Sequence, residues 1–243
     1  MSLIQNSYPE SRFGGFSDHD GTVAFYTRIK SLLEPEMTVL DVGCGRGAAL
    51  IDDPINYKKE LRLMRGRCRK VIGIDIDPVG EDNPGLDEFR LLKSDKWPIE
   101  DESIDLIISD YVLEHISNPE IFFKEISRVL KRRGIFCART SNKIGYVGIV
   151  ARVIPNRGHS TVLKYAQKQR MEMDVFPTVY KVNTVWKIRR QMKKVGLDGI
   201  AYGYEAEPAY LDFSSFFYRI GKFIHAFTPG PLRTNIFVFA RKP

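Results

Sequence analysis

The chain has 243 residues, enough for one α/β domain with additions or at most two small domains. Hydrophobic residues make up 43% and aromatic residues 12%, which excludes a disordered chain. The formal charge of +7 and a pI near 9.2 permit an anionic partner without demanding one.

In chain order, residues 1–20 are rich in Ser, Gly and Asp and read as a mobile arm or lid; Met1–Phe16 lacks the charged-then-apolar order of a signal peptide. Val23, Tyr26, Ile29, Leu32 and Leu33 recur at a helical period, predicting a helix over Thr22–Leu33 that Pro35 ends. Met37–Val42 is an apolar run that opens into Gly43-Cys44-Gly45-Arg46-Gly47, a strand followed by a turn that favours glycine. Asp52-Asp53-Pro54 starts a helix over Ile55–Met64, stopped by Gly66. Strands follow at Val71–Asp75, Phe89–Leu92 and Ile104–Ser109. Asn118 caps a helix to about Lys131, and Ile135–Ala138 is a fifth strand. Strands alternating with helices indicate a parallel sheet with right-handed crossovers.

After Thr140 the rhythm breaks. Residues 141–182 carry Gly145, Gly148, Pro155, Gly158 and Pro177 and read as an inserted cap. Ile144–Ile154 is too short for the roughly 20 apolar residues of a membrane span, and holds Arg152. Asn183–Val195 is helical, and Leu197–Tyr204 and Asn235–Ala240 are the last strands. Between them, Phe213, Phe216, Phe217, Ile220, Phe223, Ile224 and Phe227 share one face at helical spacing. That face over 211–227 fits packing on the sheet, a pocket wall, a homodimer face or a peripheral membrane contact.

Cys44, Cys68 and Cys137 form no C-x-x-C pair, which points away from a disulfide framework or a metal site and toward a reducing, cytoplasmic setting. The turn ends in Gly47-Ala48-Ala49, not the G-K-[ST] of a phosphate loop, and its G-x-G-x-G spacing differs from the G-x-G-x-x-G of a dinucleotide site. Asp75, ending the second strand, suits a ribose diol. These features favour a nucleoside without a pyrophosphate and disfavour a nicotinamide oxidoreductase.

With DVGCGRG, GIDID, Ser94-Asp95-Lys96-Trp97-Pro98 and DESIDLIISDYVLEHISNPEIFFKEISRVLKRRG in this order, the chain resembles a class I S-adenosylmethionine-dependent methyltransferase. The resemblance implies a Rossmann-like, seven-stranded, mostly parallel α/β sheet with helices on both faces and the last strand antiparallel. It implies a single domain: arm and lid (1–36), cofactor-binding core (37–140), cap (141–182), and the rest of the sheet (183–243) with an aromatic helical insertion (206–233). Position by position, Asp41, Gly43, Cys44, Gly45 and Gly47 would line the methionine end of the cofactor. Asp75 would bind the ribose, with Ile76 beside the adenine. Asp95 would accept from the adenine amino group, Lys96 and Trp97 would flank the ring, and Ser109 and Tyr111 would sit near the sulfonium.

Methyl transfer to a hydroxyl or acidic carbon needs a base, and the candidates are Glu114, His115 and His159. The expected acceptor is a small molecule, or one linked to a glycan or lipid, methylated at oxygen. Clusters such as Lys58, Lys59, Arg62, Arg65, Arg67, Arg69 and Lys70, or Lys131-Arg132-Arg133 at a helix end, read as solvated surface more than as a nucleic-acid footprint. Ser109-Asp110-Tyr111-Val112 also lacks the Pro-Pro-aromatic turn that enzymes methylating exocyclic base amines share. An RNA methyltransferase and a non-catalytic cofactor-binding protein are the alternatives.

Overall fold

The computed structural model describes residues 3–145, 177–208, 211 and 214–243. Among the described residues, seven strands form one sheet: β1 (Thr38–Val42), β2 (Lys70–Asp75), β3 (Glu88–Leu91), β4 (Ile104–Asp110), β5 (Leu130–Ser141), β6 (Asp198–Tyr204) and β7 (Asn235–Arg241). Their order is β3-β2-β1-β4-β5-β7-β6. The first five pair in parallel, and β7 runs antiparallel to both β5 and β6. Buried on both faces, β1, β2 and β4 are near-continuous apolar runs, as a covered parallel sheet requires. The order reverses between β1 and β4, where an open α/β sheet leaves a crevice at the carboxyl ends of its strands.

Helices cover both faces. On one, α5 (Pro119–Val129) and α6 (Val185–Lys194) bury Phe122, Phe123, Ile126, Ile188 and Met192 against Leu40, Ile107, Phe136 and Val238. Asn118 and Thr184 cap these helices through Ile121 N–H and Lys187 N–H. On the other, α2 (Gly21–Lys30) buries Phe25, Tyr26 and Ile29 against Val39, Leu106, Ile108 and Phe237. The carboxylate of Asp20 caps α2 by accepting from Thr22 N–H (2.8 Å) and Val23 N–H (3.0 Å).

Several expectations are corrected. Within the expected arm or lid, residues 3–20 hold α1 (Leu3–Ser7) and a 3-10 turn (Pro9–Arg12), and Phe16 stacks on Tyr57 at 5.1 Å. The first crossover holds two short helices, α3 (Ala48–Ile51) and α4 (Asn56–Arg62), because Asp52-Asp53-Pro54 interrupts the run. The basic run Lys131-Arg132-Arg133 lies in β5, which starts at Leu130 opposite Ile104. Arg133 takes a left-handed backbone (φ +65°) there, and its N–H donates to Lys242 O. The central part of the expected cap, 146–176, lies outside the described residues, as does Phe213. The aromatic helix is α7 (Ser215–Phe227); it buries Tyr218 and Gly221 and turns its apolar face outward.

Candidate cofactor and acceptor site

The site is built from the turn after β1. Gly43, Gly45 and Gly47 all have positive φ (+71°, +47°, +74°), a region costly to residues with a Cβ. Two also have no room: a Cβ on Gly43 would lie 2.4 Å from Val112, and one on Gly47 would lie 2.5 Å from Asn83 Oδ1. Gly45 is different, for nothing lies within 4 Å of its missing Cβ. The turn is tied to β2, as Gly43 N–H donates to Ile74 O (2.8 Å) and Gly45 N–H to Asp75 Oδ2 (2.8 Å). Asp75 Oδ1 accepts from Asp77 N–H (3.0 Å). A carboxylate has about four acceptor positions, so Asp75 retains capacity for ligand hydroxyls. Asn83 is the brace that sequence reasoning missed. Its amide donates to Cys44 O (2.9 Å) and Gly45 O (3.1 Å), and its Oδ1 accepts from Gly85 N–H (2.9 Å).

Asp41, Gly43, Cys44, Gly45, Gly47, Asp75, Ile76, Asp95, Trp97, Tyr111 and His115 line one cavity of about 1640 Å³. A pocket for one small ligand is typically ~300–1,000 Å³, so there is space for more than a nucleoside. Ile76 is 67% exposed, an apolar surface offered to a ring. Trp97 is nearly buried and packs edge-on against Phe122 (5.4 Å), so only its margin reaches the cavity.

Three expected residues do not line the cavity. Ser109 is fully buried: Ile108 and Asp110 line the cavity, and strand alternation sends the side chain between them to the opposite face. Lys96 points to solvent between Asp95 and Trp97. Glu114, expected as a possible base, is buried and holds structure together instead. Its carboxylate accepts from Thr140 Oγ1 (2.6 Å) and Ser141 Oγ (3.3 Å), and its carbonyl accepts from Val179 and Tyr180 N–H. Burial raises that carboxyl above its usual range. On the single 3-10 turn Leu113–His115, neighbouring side chains diverge, so His115 alone of the two reaches the cavity. Its Nδ1 lies 2.8 Å from Pro177 O. A carbonyl can only accept, so Nδ1 is the donor in this contact and Nε2 is the ring nitrogen that can exchange a proton. His159 lies outside the described residues.

Beneath this lies a polar network absent from the sequence reading. Arg139 donates to both oxygens of Asp110 (2.7 and 2.6 Å) and to Thr22 Oγ1 (3.1 Å), and its guanidinium lies 4.7 Å over the Tyr111 ring. Tyr26 Oη donates to Asp110 at 3.0 Å. Burial alone would raise the Asp110 carboxyl, but Arg139, Arg62 and Tyr26 hold it below the ordinary range. Asp41 has no such compensation: burial, with the charges of Asp110 and Asp75, pushes it up to about 7. Tyr111 has φ +58°; its N–H donates to Arg139 O (2.7 Å) and its Oη to Asn235 Oδ1 (2.8 Å).

This sheet order, with a glycine turn and an acid at the ends of adjacent strands, defines the architecture of class I S-adenosylmethionine-dependent methyltransferases. The chain belongs to the methyltransferase domain family, whose profile matches residues 21–202. It is 30% identical over 171 residues to the mitochondrial ubiquinone biosynthesis O-methyltransferase of Rattus norvegicus, covering 61% of this chain and 46% of that protein. It is 29% identical over 137 residues to a sterol 4-C-methyltransferase of Caenorhabditis elegans, covering 51% and 38%. The chain thus spans less than half the length of these relatives. Among solved structures, a methyltransferase of Haloferax volcanii in complex with the Trm112 methyltransferase activator superposes with a TM-score of 0.59 at 17% identity, covering 96% of this chain and 93% of that one. Geranyl diphosphate C-methyltransferase of Streptomyces coelicolor, bound to geranyl diphosphate and S-adenosyl-L-homocysteine, gives 0.53 at 13%, covering 90% and 77%. At these identities the structures speak for the fold alone.

Proposed function

We propose that this protein transfers a methyl group from S-adenosyl-L-methionine to an oxygen of a small-molecule or lipid- or glycan-linked acceptor. The observation that carries this reading is the single cavity that joins the turn Gly43–Gly47, Asp75 and His115, with volume to spare for a second ligand. The unfilled space at Gly45 admits a ligand against the main chain. In this reading Asp41 and the turn hold the methionine end, Asp75 takes the ribose hydroxyls, and Ile76, Asp95 and the margin of Trp97 receive the adenine.

The bound cofactor supplies an electrophilic methyl group. The chain supplies position and a proton acceptor: Tyr111 and Val112 wall the reacting end, and the acceptor must lie in line at near-attack distance with little water. His115 Nε2 takes the acceptor's hydroxyl proton, while Pro177 O accepts from Nδ1 and holds the ring. The names of two of the relatives, a ubiquinone-pathway enzyme and a sterol enzyme, support a lipid acceptor over a nucleic acid. So does the pairing of the expected basic stripe: Arg62 with Asp53, Arg65 with Asp87, Lys131 with Asp105, and Lys58 with Asp20.

The test is calorimetric titration with S-adenosyl-L-homocysteine, with NADH and AMP as controls, followed by turnover on phenolic lipids. Micromolar binding of the homocysteine compound alone is expected. His115→Ala should keep that affinity and lose about 10²–10⁴-fold in kcat. Unchanged turnover in this variant removes His115 as the base, and binding without turnover on any acceptor supports a non-catalytic role.

A further inference from the structure

The helix α7 presents an apolar face that the fold leaves uncovered. Phe216, Phe223 and Phe227 are 67%, 68% and 72% exposed, and Ile220 and Ile224 are also exposed. At 100° per residue these five fall within an arc of about 100°, opposite the buried Tyr218 and Gly221. A core helix would show the reverse. Arg219 and Lys222 are the charged residues of α7, and no acid lies among its thirteen. Arg219 borders the outward aromatic face while Lys222 turns back toward α1, and an aromatic face with a cation at its edge and no acid, on a chain of net charge +7, complements an anionic lipid surface.

The place of α7 in the fold matters as much as its composition. Gly221 packs so closely on Leu211 and Pro208 that an added Cβ would meet them at 2.5 and 3.1 Å, and the preceding Glu207 lines the cavity. On the other side, Lys222 Nζ donates to Ser7 O (2.9 Å) of α1 and sits 4.4 Å over the Tyr8 ring, and Ile4 of α1 also lines the cavity. So α7 rests on two segments that wall the cavity. A second copy of the chain fits less well. A thirteen-residue helix offers a strip on the order of 20 Å by 10 Å, well short of the ~800 Å² each partner contributes to a stable interface.

We propose that α7 docks the protein on an anionic lipid surface, with the cavity mouth beside the bilayer. This rests on the lipid-linked branch of the proposed function, since such an acceptor then reaches the cavity without crossing water.

Sedimentation of the full chain with vesicles tests it. Binding is expected to vesicles containing phosphatidylglycerol, and to fall at least ~10-fold on pure phosphatidylcholine or in high salt. Phe216→Ser with Phe223→Ser should abolish it, and Arg219→Glu should weaken it, with the affinity for S-adenosyl-L-homocysteine unchanged in both. No binding by the native chain overturns the proposal, as does binding that these substitutions leave intact. A dimer by light scattering that the double substitution splits into monomers also overturns it. The vesicle assay needs no cofactor, so a failure to bind S-adenosyl-L-homocysteine strikes the proposed function and leaves the docking result standing separately.

Discussion

At the scale of single residues, the site works through contrast between neighbours of one type. Asp110 and Asp41 both face the cavity, yet Arg139 pins one ionised while burial pushes the other up to about 7. For Asp41 the folded-state value lies above the ordinary 3.8. Its ionisation therefore opposes folding: stability falls as pH rises from about 4 to about 7 and is level beyond. Asp41→Asn should raise the cofactor-free Tm at pH 8 by a few degrees, about 1–2 kcal/mol, and do nothing at pH 4. The same variant should weaken binding of the cationic cofactor and flatten its pH dependence; in the native protein affinity should climb between pH 6 and 8. Calorimetry at three pH values checks this, and a pH-independent native affinity would refute it. The glycines divide likewise. Gly47→Ala, strained and crowded by Asn83, should cost about 2–4 kcal/mol. Gly45→Ala, strained but uncrowded, should cost about 1 kcal/mol and lose cofactor affinity instead. Denaturant unfolding beside S-adenosyl-L-homocysteine titration separates the two outcomes.

At the scale of elements, Arg139 and Asp110 join the ends of β5 and β4 and fasten α2 through Thr22 and Tyr26. Asp110→Asn should cost about 3–5 kcal/mol in urea unfolding, because it leaves a buried guanidinium without its counter-charge. A loss under 1 kcal/mol would mean that Thr22 and the rings of Phe25, Tyr26 and Tyr111 around the guanidinium suffice. No spacing in the sequence announces this pair, since the two residues meet only when parallel strands align Asp110 with Arg139. By contrast β1, β2, β4 and the cap Asn118 were legible, being local patterns of burial and hydrogen bonding; the helix expected from Asn183 starts two residues later, with Thr184 as its cap. The start of β5 was not, because Leu130-Lys131-Arg132-Arg133-Gly134 has the form of a basic helix end, and only pairing with Ile104 and Lys242 makes it extended. Nor was Asn83, whose partners are carbonyls of a turn some 40 residues away in sequence. For α7, periodicity marked the apolar face and was silent on whether anything covers it.

At the scale of the whole molecule, the cavity draws on α1, α2, all three early strand ends, β4, β5 and the 205–208 segment, so a ligand there binds only the assembled fold. S-adenosyl-L-homocysteine at about 100 times its Kd should therefore add ~2.7 kcal/mol and raise Tm in a single transition. Separate transitions by near- and far-ultraviolet dichroism would contradict one cooperative unit.

The strand order also sets a timetable. β7 lies between β5 and β6, and β6 pairs with no strand but β7 among the described residues. On the ribosome β6 must wait for residues 235–241, a delay of roughly 2–7 s at ~5–20 residues per second. During that interval the β5 edge, with Phe136, Cys137 and Ala138, is a bare template for any extended chain nearby. A stop codon before Asn235 would thus remove two strands from the sheet while deleting the coding sequence of only one.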